Sequence, residues 1–257
     1  MVLTSLYRSC VNEVRYVFYN LRSRHFQGLD AKTSLEAKLV SEIKDSSCVV
    51  LENYWTKEYA ADIKGKLAEF HDSGEPYVLG DHTRDEVVRI YHVERLLPEL
   101  REFRFDPFIT SVANAYNGFS SYSGALVYQH DTIYGREKSH YHVDSFVRQF
   151  KAMMYLDDVD MSNGPFSYIP GSQKLRRRYF KKQLRGRPGQ KENVFNTADI
   201  DDLLDKEVAV CAPAGSLLMF DATCIHRGAP QTESDRSVLM NYIMPSAGDI
   251  YLNKNLP

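Results

Sequence analysis

From about Asn117 onward the chain is written in short runs of β-branched, aliphatic and aromatic residues, cut by turns that carry glycine or proline. Residues 125–128, 150–156, 166–169, 207–211, 216–220 and 237–243 are such runs, and the turn sequences SNGP (162–165), PGS (170–172), PAG (213–215) and RGAP (227–230) punctuate them. Runs this short, bounded by glycine and proline, read as strands rather than helices, which need about ten residues or more. At least six strands with turn signals every ten to twenty residues predict a β-sandwich or barrel.

The N-terminal third obeys a different grammar. Leu35, Leu39, Val40 and Ile43 form one apolar stripe over residues 34–44, a helix. Residues 48–51 (CVVL) make a buried strand, and Thr56 caps a second helix that runs through Ile63, Leu67 and Phe70 until Asp72-Ser-Gly74 stops it. Residues 87–97 are ambiguous. A further helix begins at Asp106 with Pro107 in its first position. The expected fold is therefore mainly β with flanking helices. It forms one domain over residues 1–257, helical to about 116 and a barrel over about 117–245, with no internal repeat and no Gly/Ser linker.

Composition excludes several classes. A 12% aromatic content and a net charge of −2 rule out a disordered chain. No run approaches the 18 apolar residues that a spanning helix needs, and the first ten residues are apolar too briefly for a signal peptide before Arg8, Glu13 and Arg15 intervene. Cys10, Cys48, Cys211 and Cys224 form no CxxC pair and read as reduced thiols. A cytoplasmic protein without a membrane partner is expected. Nine of the 32 basic residues fall between Lys174 and Lys191 with no acidic residue among them, and Asp199, Asp201, Asp202 and Asp205 follow. The first reading is a solvated helix paired to that acidic stretch; the second is a site for an anionic partner or the anionic tail of a substrate. No nucleic-acid module accompanies the patch, so no nucleic-acid partner is expected.

Chemistry concentrates in three positions. His142 and Asp144 stand two apart, so an extended segment points both to one face. His226 lies 84 residues later, after the apolar run 216–220. Two imidazoles and a carboxylate on one side of a metal, with the other positions open, form the facial triad of non-haem iron(II) oxygenases. The open positions admit a bidentate 2-oxo acid and dioxygen. Zinc takes the same donor types, and a lone His-x-Asp is common by chance. Arg236, ten residues after His226, adds a fixed fork suited to a carboxylate. Lys151 interrupts the run 150–156; inward it needs an anion, either a cosubstrate or a substrate carboxylate, and outward it is simply solvated.

With these residues in place the sequence resembles the phytanoyl-CoA dioxygenase family of Fe(II)- and 2-oxoglutarate-dependent oxygenases. The likeness covers about residues 45–245. It rests on SHYHVD (139–144), FKAMMYLDDV (150–159), NGPFSYIPGS (163–172), AGSLLMFD (214–221) with His226, and Arg236, together with the opening CVVLENYW (48–55). The resemblance implies a double-stranded β-helix, a jelly-roll barrel with iron at its mouth. It carries the iron ligands onto His142, Asp144 and His226, and the clamp on the distal carboxylate of 2-oxoglutarate onto Arg236. An amide that often contacts this cosubstrate maps to Gln129. The retained Asp144 carboxylate argues against halogenation, since halogenating relatives lose it; hydroxylation of a small molecule, with succinate and CO2 as coproducts, is the expected activity. Desaturation, cyclisation, epimerisation and a catalytically silent binding protein are the alternatives. The sequence departs from the family at Gln173, where a histidine is usual, and at Gly228, where a small polar residue is. His140 reads as a bystander, and Tyr128, Tyr141 and Tyr155 as core or pocket lining. His82, Arg84, Tyr134 and Arg136 fall in segments that would form a rim or lid. The sequence leaves open whether the protein is a monomer or a homo-oligomer.

Overall fold

A computed structural model describes residues 7, 10–14, 17, 30–72, 87–118, 120–133, 140–146, 148–184 and 193–245. Helix α1 (Ser34–Ser46) starts with a reciprocal cap: the Thr33 side chain accepts from Glu36 N, and Glu36 accepts from the Thr33 backbone. Strand β1 (Cys48–Leu51), helix α2 (Lys57–Asp72) and helix α3 (Pro107–Asn117) follow the sequence pattern. Asp106 caps α3 by accepting from the N–H groups of Phe108 and Ile109. The ambiguous stretch divides into strand β2 (Val87–Tyr91) and a 3-10 turn (Val93–Arg95), joined through His92 in the left-handed region.

The remaining strands are β3 (Ser121–Asp131), β4 (Tyr141–His142), β5 (Phe150–Tyr155), β6 (Phe166–Tyr168), β7 (Val194–Phe195), β8 (Val208–Val210), β9 (Leu217–Asp221), β10 (His226–Gly228) and β11 (Arg236–Pro245). They form two antiparallel sheets of order β1-β9-β5-β11-β3-β2 and β7-β4-β10-β6-β8, the jelly-roll arrangement that the resemblance implies, with neither sheet closed on itself. β1 and β2 lie early in the sequence yet extend the larger sheet at both of its edges.

Both faces of the larger sheet are covered, which explains why its strands read as continuous apolar runs rather than alternating ones. Leu126, Ala152, Met154, Leu217, Met219 and Leu239 face the helices, packed with Leu39, Ile43, Ile63, Leu67 and Val112. Their neighbours Val127, Met153, Tyr155, Leu218, Phe220, Val238 and Met240 face the smaller sheet, against Phe166, Tyr168 and Val210. Tyr155 ties the sheets together. Its hydroxyl donates to Val210 O at 3.0 Å and accepts from Phe166 N at 3.1 Å, and burial raises its pKa well above the ordinary phenol range.

Beyond β6, helix α4 (Arg176–Leu184) carries the basic segment, and its charges find protein partners. Arg178 takes both oxygens of Asp202 at 2.8 and 2.6 Å, Lys182 pairs with Asp199 at 2.5 Å, and Arg176 with Glu13 at 2.9 Å. The pairing with the acidic stretch is therefore present; Arg177 and Lys181 remain exposed, and Arg185, Arg187 and Lys191 lie outside the described residues. Among the described residues no helix is long and apolar enough to cross a membrane. Replacing Tyr155 by Phe strands the Val210 carbonyl and the Phe166 N–H, at a cost of about 1–3 kcal/mol; equilibrium urea unfolding should show a lower midpoint with an unchanged slope.

Candidate metal centre

The smaller sheet brings the two histidines together. β4 and β10 pair antiparallel with His142 opposite His226, and the two rings lie 4.4 Å apart between centroids. Asp144 lies just beyond the strand. β4 ends at His142, and Asp144 sits in a bend fixed by hydrogen bonds from Asp144 N to Ala222 O (3.0 Å) and from Val143 N to Asn193 O (3.0 Å). Its carboxylate still reaches both imidazoles: Oδ1 lies 3.5 Å from His142 Nε2, and Oδ2 lies 3.4 Å from His226 Nε2. One donor atom from each of the three residues falls within 4.8 Å of the others, the one such cluster among the described residues.

The ring orientations suit a metal. His142 Nδ1 lies 2.9 Å from His140 O and His226 Nδ1 lies 2.9 Å from Cys224 O. A carbonyl only accepts, so each Nδ1 carries a proton, and in the neutral ring Nε2 is the nitrogen left to present a lone pair to the cluster. His140, a bystander by sequence, thus orients its neighbour through its backbone. Burial, reinforced by His142, lowers the pKa of His226, which favours the neutral ring a metal requires. Burial alone would raise the Asp144 pKa; Lys151, His226 and the two histidine contacts outweigh it and hold the carboxyl well below its usual range. Asp144 Oδ2 is buried and accepts no hydrogen bond of good geometry, although Lys151 Nζ stands 2.5 Å away. Two imidazole Nε2 atoms and an ionised, under-satisfied carboxylate oxygen are a donor set for a divalent first-row metal.

A layer behind the donors holds them in place. Asp221, at the end of β9, accepts from Thr223 N (2.8 Å) and Thr223 Oγ1 (2.7 Å), and Tyr116 donates to its other oxygen. Ser172 Oγ accepts from Ile225 N at 2.8 Å, and the Tyr179 hydroxyl lies 2.7 Å from both Ser172 O and Thr223 O. These contacts shape the turn that delivers Cys224 O and His226. Gln173, the departure from the usual histidine, accepts from Ser47 Oγ and donates to Lys44 O at 3.0 Å, anchoring the same loop to the end of α1.

Lys151 points inward. Its ammonium lies over the Tyr242 ring at 4.2 Å, opposite it in the β5–β11 ladder, as well as on Asp144. One residue along, the β3–β11 ladder slips past Gly124, a bulge beside the site. Arg236 opens β11 and is buried, with Nη2 2.5 Å from Asp131 Oδ2 and Nη1 donating to Gly164 O. Gly164 has φ +72°, and a Cβ there would stand 2.5 Å from Ala229 O, so only glycine presents this carbonyl. A Cβ on Gly228 would lie 3.1 Å from Arg236 Nη2; the second departure from the family pattern makes room for the guanidinium. Gln129 Nε2 also turns to Asp131, at 2.8 and 3.0 Å from its two oxygens. Tyr128 packs under the helices and Tyr141 with Tyr179 and Phe195, so both are core, while Tyr155 joins the sheets. His82, Arg84, Tyr134 and Arg136 lie outside the described residues.

A family model described as phytanoyl-CoA dioxygenase (PhyH) matches residues 92–238, more than half of the chain and the whole span from His142 to Arg236. The chain belongs to the phytanoyl-CoA dioxygenase family. No curated protein sequence matches it significantly. Among solved structures it is similar to EctD from S. alaskensis, described with 2-oxoglutarate and 5-hydroxyectoine (16% identity, TM-score 0.67, 90% of this chain and 84% of that one). It is also similar to SnoN, a non-heme alpha ketoglutarate dependent epimerase from nogalamycin biosynthesis (16%, 0.61, 83% and 84%). SnoK, the carbocyclase from the same biosynthesis, gives 19% identity and a TM-score of 0.58 over 81% and 83%. At these identities the likeness establishes a shared fold.

Asp131, Gly164, Asp221 and Tyr179 were not singled out from the sequence. The period of a strand could have pointed to Asp131, two residues past Gln129 and so on the same face. Replacing Lys151 by Met removes the cation nearest the donor oxygen and leaves Asp144 unpaired. The metal-free protein should then lose about 3–5 kcal/mol of stability. Its Mn(II) affinity, read by the EPR signal of free Mn(II), should rise about tenfold; unchanged affinity would show that Lys151 does not compete with the metal.

Proposed function

We propose that the protein is an Fe(II)- and 2-oxoglutarate-dependent dioxygenase that hydroxylates a C–H bond of a small molecule, releasing succinate and carbon dioxide. The observation that carries the reading is the cluster of His142 Nε2, His226 Nε2 and the Asp144 carboxylate, its members within 4.8 Å and its imidazoles oriented by backbone carbonyls. Bound there, iron and the 2-oxo acid supply the activation of dioxygen.

The chain's own part is binding, aim and exclusion of water. His142, Asp144 and His226 would hold the metal through one donor atom each. Arg236 receives the distal carboxylate of 2-oxoglutarate, and Gln129 and Lys151 contact the same ligand. Phe166 and Phe220 flank His226, their ring centroids 5.5 and 5.8 Å from it, and Met153 and Met240 continue the apolar lining. EctD is described with 5-hydroxyectoine, whereas SnoN and SnoK are an epimerase and a carbocyclase. The retained Asp144 carboxylate argues against halogenation, and hydroxylation is the outcome proposed over desaturation, cyclisation and epimerisation. All four cysteines are free thiols, which suits a reducing compartment, and the proposal places the protein in the cytoplasm.

The test is substrate-free turnover. Fe(II)-loaded protein given 2-oxoglutarate and oxygen should form succinate slowly, and Asp144→Ala should form none. Arg236→Ala should raise the apparent KM for 2-oxoglutarate by about 100-fold, the loss of a charge-assisted pair. Succinate formation that is indifferent to both substitutions would refute the assignment.

A further inference from the structure

Arg236 and Lys151 are the buried arginine and lysine among the described residues, and each is already neutralised from within. Asp144 stands 2.5 Å from Lys151, and Asp131 stands 2.5 Å from Arg236. Asp131 is the last residue of β3, directly opposite Arg236 in the β3–β11 ladder, and both side chains face the space between the sheets. Its carboxylate accepts from the Arg236 guanidinium at Oδ2 and from Gln129 Nε2 at both oxygens. Arg236 is the donor to which the family resemblance assigns the remote carboxylate of the cosubstrate, and Gln129 the amide to which it assigns a cosubstrate contact. Gln129 is braced in turn, since Arg89 Nε donates to its Oε1 at 3.0 Å.

A carboxylate entering beside an intact Arg236–Asp131 pair would leave a net negative charge in a low-dielectric interior, which is strongly disfavoured. Arg236 is also incompletely satisfied, because its Nε is buried and has no hydrogen-bond partner. We propose that Asp131 is a specificity-determining residue, an internal carboxylate that holds Arg236 and Gln129 until the distal carboxylate of the 2-oxo acid displaces it. The inference rests on the functional reading above. The exchange needs only rotation of the Asp131 side chain, since the backbone there is held separately by Gln231 Nε2 donating to Asp131 O at 2.8 Å. It lowers cosubstrate affinity in proportion to how well Asp131 competes. It also selects for acids that carry a second carboxylate at the correct reach, because an acid lacking one gains nothing from Arg236 and leaves the Asp131 pair intact.

The experiment measures 2-oxoglutarate and pyruvate binding by calorimetry to Mn(II)-loaded wild-type protein and three variants. Asp131→Asn should bind 2-oxoglutarate about tenfold more tightly, with pyruvate binding and Mn(II) affinity unchanged, and its melting temperature should rise more on adding 2-oxoglutarate than the wild type's does. Arg236→Met should bind 2-oxoglutarate about 100-fold more weakly, again with Mn(II) retained. Equal or weaker 2-oxoglutarate binding by folded Asp131→Asn would make Asp131 a structural counter-ion and overturn the proposal. So would an Arg236→Met protein that keeps its affinity while Lys151→Met loses it. Wild-type protein that binds Mn(II) but no 2-oxoglutarate would instead overturn the functional reading itself. If Asp131→Asn does not fold alone, 2-oxoglutarate or succinate present during refolding should supply the missing negative charge and restore it; failure of both to do so counts against the proposal.

Discussion

Two imidazoles 84 residues apart in sequence face one another because β4 and β10 pair antiparallel with His142 opposite His226. Everything else at the centre depends on that register. A slip of either strand by one residue would turn its ring to the other face of the sheet and put Val143 or Arg227 in its place. The contacts that prevent it are hydrogen bonds of the adjoining turns: Asp144 N to Ala222 O, Ile225 N to Ser172 Oγ, and the Asp221–Thr223 cap. The smaller sheet thus carries the two histidines, with Asp144 in the bend after β4, and the larger sheet supplies the buried cations, Lys151 from β5 and Arg236 from β11.

Two buried ion pairs share this interior, and they place opposite demands on it. Removing one partner of a buried pair costs about 3–5 kcal/mol, so neither pair is disposable in the empty protein. In the proposed reading each cation is held by a carboxylate that sits where a ligand or a metal would act. Binding would then proceed by exchange of partners rather than by filling an uncharged hollow. Gly164 and Gly228 belong to the same arrangement, one presenting a carbonyl to Arg236 and the other yielding it space.

The long strands were legible because both of their faces are buried: β3, β5, β9 and β11 announce themselves as apolar runs, and α1 and α3 by their stripes and caps. The triad was legible from residue type and order. The two-residue strands β4 and β7 and the three-residue β10, His-Arg-Gly, carry no strand signature; they exist through pairing with distant segments, which local pattern does not record. For the same reason the bend that holds Asp144 has no local signature, since the turn is set by Ala222 and Asn193 rather than by its neighbours in sequence. The partners of Lys151 and Arg236 were beyond the sequence too. That an inward lysine needs an anion follows from electrostatics, whereas which carboxylate supplies it follows only from the ladder registers.

The central claim is that His142, Asp144 and His226 hold iron with two adjacent sites open to 2-oxoglutarate. Titrating 2-oxoglutarate into anaerobic, Fe(II)-loaded protein tests it most directly, through the weak visible charge-transfer band of the chelated iron. The account predicts a band that saturates with one equivalent of 2-oxoglutarate per iron and is lost in Asp144→Ala. Folded, iron-loaded protein that shows no band at saturating 2-oxoglutarate would contradict it.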